Sequence, residues 1–343
     1  MSVITMQKIA DLAGVHKSTV DKVVHNRPGV SDETRQKIRN LLEEYHYQPN
    51  RAAQALQYRK KQLKIGIVLV EVDALPFLQG GILKGLKVYQ EFHIKTEFVS
   101  VKTWEPDRMA AALREMAQKG YDGVILSPIN AQVVRDAVED LAKAEIPLVT
   151  VNSDLETDAK LCYVGQDGKK ASRTAARLMA ECIGKKGKIA VVTSAIAEEN
   201  NSYYVKMREE HFVRYMQENY PDVTIVDCIE SMENAEVTRQ KTAELLEREP
   251  ELDGIYITCG GVADVGRTVQ RAGKAGRIKI IGYETYPQIV ELMKEGCVTL
   301  TIDSDIEKQG RLAVEKLMDF LLDGTKQQKN VFTEVRIVVK ELL

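Results

Sequence analysis

The sequence predicts a small all-α helix-turn-helix headpiece followed by a larger α/β body of two lobes, each a parallel sheet with helices on both faces. Three observations predict this. Apolar residues between Thr5 and Asn26 recur at helical spacing on either side of Gly14. Beyond about residue 62 the pattern changes to near-continuous apolar runs separated by amphipathic helices, as expected of parallel strands buried on both faces. These runs fall into two successive sets, which implies two similar lobes.

In the headpiece, Ile9, Ala10 and Ala13 share one face of a first helix that Thr5 can cap by accepting an orphan backbone N–H. Gly14 stops that helix and Val15 fills the corner. Val20, Val23 and Val24 restart the 3.6-residue period in a second helix, which His16 precedes as a poorer cap than Ser or Thr. This second helix offers Lys17, Ser18, Thr19, Asp21 and Lys22, polar groups able to reach phosphates or base edges. A third helix is capped by Ser31, opens with Asp32 and Glu33, and is expected to pack through Ile38, Leu41, Leu42 and Tyr45. Residues 1–60 carry ten Lys/Arg and six Asp/Glu, a net +4, so the rest of the chain holds −6 of the overall −2. A basic end on an acidic body suits phosphate contact by that end alone.

The body follows the charged join Tyr58–Gln62. Its first strand-like runs are Ile65–Val70, Thr96–Val99, Gly123–Leu126 and Leu148–Val151. The second set is Ile189–Val192, Val223–Val226, Gly254–Ile257 and Lys279–Gly282, and a last run spans Glu334–Val339. In open α/β sheets ligands sit beyond the carboxyl ends of strands, so the residues just after each run are the candidates for a site.

Other functional classes fit poorly. Gly260–Gly266 follows a strand but lacks the GxGxxG spacing of a dinucleotide fold, and neither a P-loop nor a GxSxG elbow is present. No catalytic residue and no cofactor is expected. The five cysteines (Cys162, Cys182, Cys228, Cys259, Cys297) are scattered without metal or redox spacing, which favours buried reduced thiols. The five histidines form no ligand cluster, so no metal is expected. No run approaches the roughly 20 apolar residues of a membrane span, and no signal peptide pattern opens the chain. A cytoplasmic protein without membrane contact is the expectation.

Over nearly its whole length the chain resembles the lactose-repressor/galactose-repressor family of bacterial transcription regulators. Ile9–Val15, Thr19–Val20, Val30–Arg35 and Tyr47-Gln48-Pro49-Asn50-Arg51-Ala52-Ala53-Gln54-Ala55-Leu56 match that family's signature in order and spacing. The body resembles the periplasmic sugar-binding-protein fold through Gly120–Pro128, Val164–Asp167, Ile281–Glu284, Thr301–Asp303 and Gln309-Gly310. The resemblance implies a DNA-binding domain over residues 1–49, a hinge helix and linker over 50–62, and an effector-binding and dimerisation domain over 63–343. Within that domain it implies one lobe of about 63–165 plus 305–332 and another of about 166–304 plus 333–343.

It further implies that Lys17, Ser18 and Lys22 lie in the major groove, with Thr5, Thr19 and His25 near phosphates. Asn50 would cap a hinge helix, residues 51–57, that places Arg51 and Ala53 in the minor groove, where Leu56 wedges between base steps and kinks the duplex. The family commonly has Ser where this chain has His16 and Asp21. Asp21 sets a carboxylate beside the DNA, able to accept from cytosine N4 or to repel phosphate, so the operator sequence does not carry over.

For the effector, Arg208 falls at the family's ligand-clamping Arg, Glu284 at its usual Asp, and Phe77 where an aromatic often stacks on a sugar ring. Glu71, Asp73, Asn152, Asp154 and Ser304 sit at strand ends, and Tyr203 precedes the Arg208 helix. Gly260 and Gly261 stand where sugar binders often carry Asn-Asp, so the usual amide clamp is missing. A sugar, polyol, or sugar derivative such as a phosphorylated sugar is the expected ligand class. The function this implies is a repressor that binds a pseudo-palindromic operator in double-stranded DNA as a homodimer, gated by that effector. A dimer rather than a tail-assembled tetramer is expected because no heptad tail follows Val339. Two alternatives stay open: a solute receptor without DNA function, and an α/β enzyme.

Overall fold

The computed structural model describes residues 4–24, 29–45, 47, 62–195, 202–323 and 329–343. His25, Asn50, Arg51, Ala53 and Leu56 lie outside the described residues, and so does the expected hinge helix.

Helices α1 (Met6–Ala13), α2 (Lys17–Val24) and α3 (Asp32–Glu44) build the headpiece. Thr5 Oγ1 accepts from Lys8 N at 3.3 Å. Gly14 takes the left-handed conformation (φ 69°) that ends α1, at little cost because glycine has no Cβ to clash there. Ile9, Ala10, Ala13, Val20, Val23 and Ile38 form the buried core of the bundle. His16 does cap α2: its Nδ1 accepts from Ser18 N at 3.3 Å and lies 2.8 Å from Ser18 Oγ. Tyr45 is 41% exposed at the end of α3 instead of packed, and Tyr47 lies against the core.

The body holds two six-stranded sheets. The first uses β1 (Lys64–Val70), β2 (Lys95–Val101), β3 (Gly123–Leu126), β4 (Leu148–Val151), β5 (Cys162–Gln166) and β11 (Val331–Thr333). Its order is β11-β5-β4-β3-β1-β2, all parallel. The second uses β6 (Gly187–Thr193), β7 (Val223–Glu230), β8 (Gly254–Ile257), β9 (Lys279–Tyr283), β10 (Leu300–Asp303) and β12 (Arg336–Val338). Its order is β12-β10-β9-β8-β6-β7, parallel except for the antiparallel edge strand β12. The expected last run, Glu334–Val339, supplies β12 at residues 336–338 on the second sheet, while Val331–Thr333, outside every expected run, joins the first sheet as β11.

Helices α4 (Leu75–Lys87), α5 (Pro106–Gln118), α6 (Gln132–Lys143) and α12 (Ile306–Asp323) cover the first sheet. Helices α7 (Gly168–Cys182), α8 (Tyr203–Asn219), α9 (Ala235–Arg248), α10 (Val262–Arg271) and α11 (Pro287–Lys294) cover the second. Helix α12 follows β10 of the second sheet yet packs on α4, so closely that a Cβ on Gly81 would stand 2.0 Å from Glu307 O. The chain therefore crosses between lobes three times, after β5, after β10 and between β11 and β12. Gln166 Nε2 donates to Asp303 O (3.2 Å), and Thr333 Oγ1 donates to Ser304 O (2.7 Å) and Gly165 O (3.2 Å), tying the three crossings together.

All five cysteines are free; Cys162, Cys259 and Cys297 are buried, Cys182 and Cys228 partly so. Among the described residues no helix is long and apolar enough to cross a membrane.

Candidate effector cleft and headpiece surface

A cleft of about 160 Å³ opens between the lobes, lined from the carboxyl ends of strands in both sheets. Asp73 follows β1, Ser127–Asn130 follow β3, and Asn152 and Ser153 follow β4. From the second sheet come Ser194 after β6, Glu233 after β7, Cys259–Gly261 after β8, and Glu284 after β9. Ser304 and Gln309 line it at the interlobe crossing after β10.

Arg208 is placed by one face of α8. Tyr204, Arg208 and Phe212 recur every fourth residue and all are buried. Phe212 stacks on Tyr256 at 3.8 Å, and the Tyr256 and Tyr283 hydroxyls are 2.8 Å apart. The Arg208 guanidinium then lies 3.3 Å from the Tyr283 ring centroid and 4.4 Å from that of Tyr204. Its Nη1 donates to Thr258 O at 2.9 Å, while its Nε has no partner. Burial opposes the charge, but Tyr204, Tyr283 and Glu284 more than offset it, so the guanidinium stays protonated. A buried donor without an acceptor is costly, and a ligand oxygen in the cleft would relieve that cost.

Glu284 sits at a left-handed position (φ 68°) directly after β9. Its Oε1 accepts from Ser304 Oγ at 2.7 Å and its Oε2 from Ser304 N at 3.2 Å. Gln309 Nε2 braces Ser304 through its O and Oγ, both at 3.0 Å, and leaves Gln309 Oε1 unpartnered. Burial pushes the Glu284 carboxyl up to about 7, against the Arg208 charge and the Ser304 hydrogen bonds that pull it down.

The structure brings Asp73, Asn152, Arg208, Glu284 and Ser304 together on the cleft. Phe77 stands at its edge and reaches it through Tyr286, on which it stacks. Three expected residues lie off the cleft. Asp154 is held by Lys160 Nζ, 2.7 Å from both carboxylate oxygens, and by Thr150 Oγ1 at 2.6 Å. Tyr203 points its hydroxyl to Glu156. Glu71 is exposed after β1, its backbone N–H bonded to Val101 O.

Sequence reasoning missed Tyr204, Tyr283, Gln166, Gln309 and Glu233. Tyr204 had a signal, one helical turn before Arg208. Tyr283 had another, next to Glu284 at a strand end. Glu233 had none: it reaches the cleft from the β7–α9 loop at φ 50°.

In the headpiece, Thr5, Lys17, Ser18 and Lys22 are exposed, while Thr19 and Asp21 are half-buried on α2.

A hinged two-lobed binding protein joined to a helix-turn-helix headpiece is the class this fold and cleft define. The chain belongs to the periplasmic binding protein domain family, whose model matches residues 52–326, and it opens with the helix-turn-helix of the bacterial regulatory proteins, lacI family, over residues 5–50. It is 28% identical over 151 residues to the HTH-type transcriptional regulator DegA of Bacillus subtilis, covering 44% of each chain. It is 31% identical over 157 residues to the HTH-type transcriptional regulator MalR of Streptococcus pneumoniae, covering 44% of this chain and 46% of that one. The chain thus spans about half the length of these curated relatives. Among solved structures, an ABC transporter solute-binding protein from Burkholderia graminis in complex with D-arabinose superposes with a TM-score of 0.76 at 17% identity, covering 81% of this chain and 96% of that one.

Proposed function

We propose that this protein is a DNA-binding transcriptional repressor whose operator affinity is set by a small carbohydrate-like effector. One juxtaposition carries the reading: an exposed polar recognition helix shares a chain with an interlobe cleft whose buried Arg208 Nε and Gln309 Oε1 lack partners. Similarity to regulators such as the Ribose operon repressor of Lactococcus lactis supports it. Cys259, the thiol that lines the cleft, is held well above the ordinary thiol range by burial and so is a poor nucleophile.

The mechanism is linkage between the cleft and the interlobe crossings. Glu284, Ser304 and Gln309 touch the cleft, and Ser304 O accepts from Thr333 at a crossing between lobes. An effector that binds one lobe angle better than another shifts that angle, and only this difference in affinity is transmitted to DNA. In a two-fold symmetric homodimer the lobe angle would set the spacing of two headpieces on a pseudo-palindromic operator.

The test is binding to genomic fragments containing palindromic sites, across a salt series, with and without a panel of sugars and polyols. A steep fall of log K with log salt is expected, together with a change in affinity on adding one panel member. Salt-independent binding, or none to any fragment, overturns the regulator reading.

A further inference from the structure

The position that the family resemblance marks as lacking its amide clamp is not empty space. A Cβ built on Gly260 would stand 2.7 Å from Glu233 Oε2 and 3.8 Å from Asp73 Oδ2. Two carboxylates, one from each lobe, therefore converge on the point where a side chain at residue 260 would begin. Ser194 and the Gly260 backbone lie beside the Glu233 carboxylate there and favour its charged form. Among the described lining residues three carboxyl groups (Asp73, Glu233, Glu284) share the cleft with one guanidinium, Arg208.

We propose that Glu233 and Asp73 form an ammonium-binding subsite, so that the effector is a polyhydroxylated compound bearing a protonated amine rather than a phosphate or carboxylate. The inference deepens the effector reading above and rests on it. An independent observation points to a ligand in the same cleft: Arg208 Nε and Gln309 Oε1 are buried without partners, a donor and an acceptor suited to ligand hydroxyls. The electrostatics agree. Burial, and then the Asp73 charge, push the Glu233 carboxyl up, and partial desolvation at the cleft rim with the Asp264 charge does the same to Asp73. A cation between them removes the repulsion and makes charge-assisted hydrogen bonds to both. Because the two carboxylates belong to different lobes, the same cation draws the lobes together, which couples recognition to the hinge. A phosphate would meet these carboxylates as a like charge.

The full chain is titrated by calorimetry with amino-hexoses and amino-alditols, each beside its neutral hydroxyl parent, its N-acetylated form and the corresponding phosphate. At least one amine should bind about tenfold or more tighter than its neutral and acetylated counterparts, the margin typical of a charge-assisted contact. Glu233→Gln and Asp73→Asn should each collapse that margin. Asp73 lies on the exposed rim, so D73N keeps the test decisive if E233Q does not fold. Neutral or phosphorylated compounds binding as well as amines, or a margin that survives both substitutions, overturns the subsite while leaving the effector reading intact. Binding by no member of the panel overturns both.

Discussion

Phe77 and Tyr286 stack face to face across the mouth of the cleft, ring centroids 4.7 Å apart and planes 15° from parallel. Phe77 comes from α4 on the first lobe and Tyr286 from the β9–α11 loop of the second, so the stack exists only while the lobes are together. An aromatic pair of this kind contributes about 0.5–1.5 kcal/mol beyond its buried area. Phe77→Ala should therefore weaken effector binding by roughly 2- to 10-fold. Its melting temperature should stay near that of the parent, because Phe77 is 37% exposed. Calorimetric titration beside a thermal melt checks both. A large fall in melting temperature with unchanged affinity would place Phe77 in the core instead of at the closure.

Arg208→Ala should abolish measurable effector binding, a loss on the order of 2–5 kcal/mol expected when a buried, hydrogen-bonded charge is removed from an interface. Arg208→Lys should not rescue it. Lysine offers a compact point charge, whereas the site is shaped for a planar fork stacked on Tyr204 and Tyr283. Recovery of binding in the lysine variant would show that charge alone is read.

The Glu284 carboxyl is raised from 4.5 to about 7 in the folded protein, mainly by burial. The folded state thus holds a proton that the unfolded state gives up between those two values. This contribution to stability is full below about pH 4.5 and is lost as pH rises through about 7, a change of order 3 kcal/mol. Glu284→Gln cannot ionise and should lack that part of the slope, whatever its absolute stability. Chemical denaturation of both proteins between about pH 5 and pH 8 tests this. Parallel stability curves would mean that Glu284 remains ionised throughout.

Gly14→Val should destabilise the headpiece by about 1–2 kcal/mol, because a β-branched residue is strained at the left-handed φ of 69°. Contacts would not be the cause, since a Cβ there meets nothing within 4 Å. Gly14→Asn should cost less, as asparagine tolerates that conformation. Melting of the full chain and operator binding would report the order Gly, Asn, Val.

Lys22 is exposed on α2. Lys22→Ala should weaken binding to all DNA sequences alike and lower the slope of log K against log salt by about 1, if it neutralises one phosphate. A change confined to one base position would instead assign Lys22 to a base edge.

Most of this architecture was legible in the residues because it is encoded locally. The headpiece depends on an apolar period, a glycine at a left-handed turn and a Ser31 cap, whose Oγ accepts from Thr34 N at 3.4 Å. The central strands show as continuous apolar runs because both faces of each sheet are covered. Arg208 and Glu284 could be placed by family position and strand ends, where an α/β sheet gathers its ligand groups. The edge strand β12 lies within the expected run Glu334–Val339, but β11, three residues long, carries too few residues for a period and gave no signal. Asp154 had the same strand-end signal as Asn152, but Lys160 six residues on takes its carboxylate.

By itself the sequence determined a helix-turn-helix, two parallel α/β lobes and a cleft at their strand ends, since each follows from periodicity and capping along the chain. Only the tertiary structure decided which polar groups meet. It joined Phe77 to Tyr286 across the lobes, left the Arg208 Nε unpaired, and brought Glu233 and Asp73 to one point beside Gly260. Those relationships lie between residues far apart in the chain, and Coulomb and packing forces act on distance in space, which sequence spacing does not record.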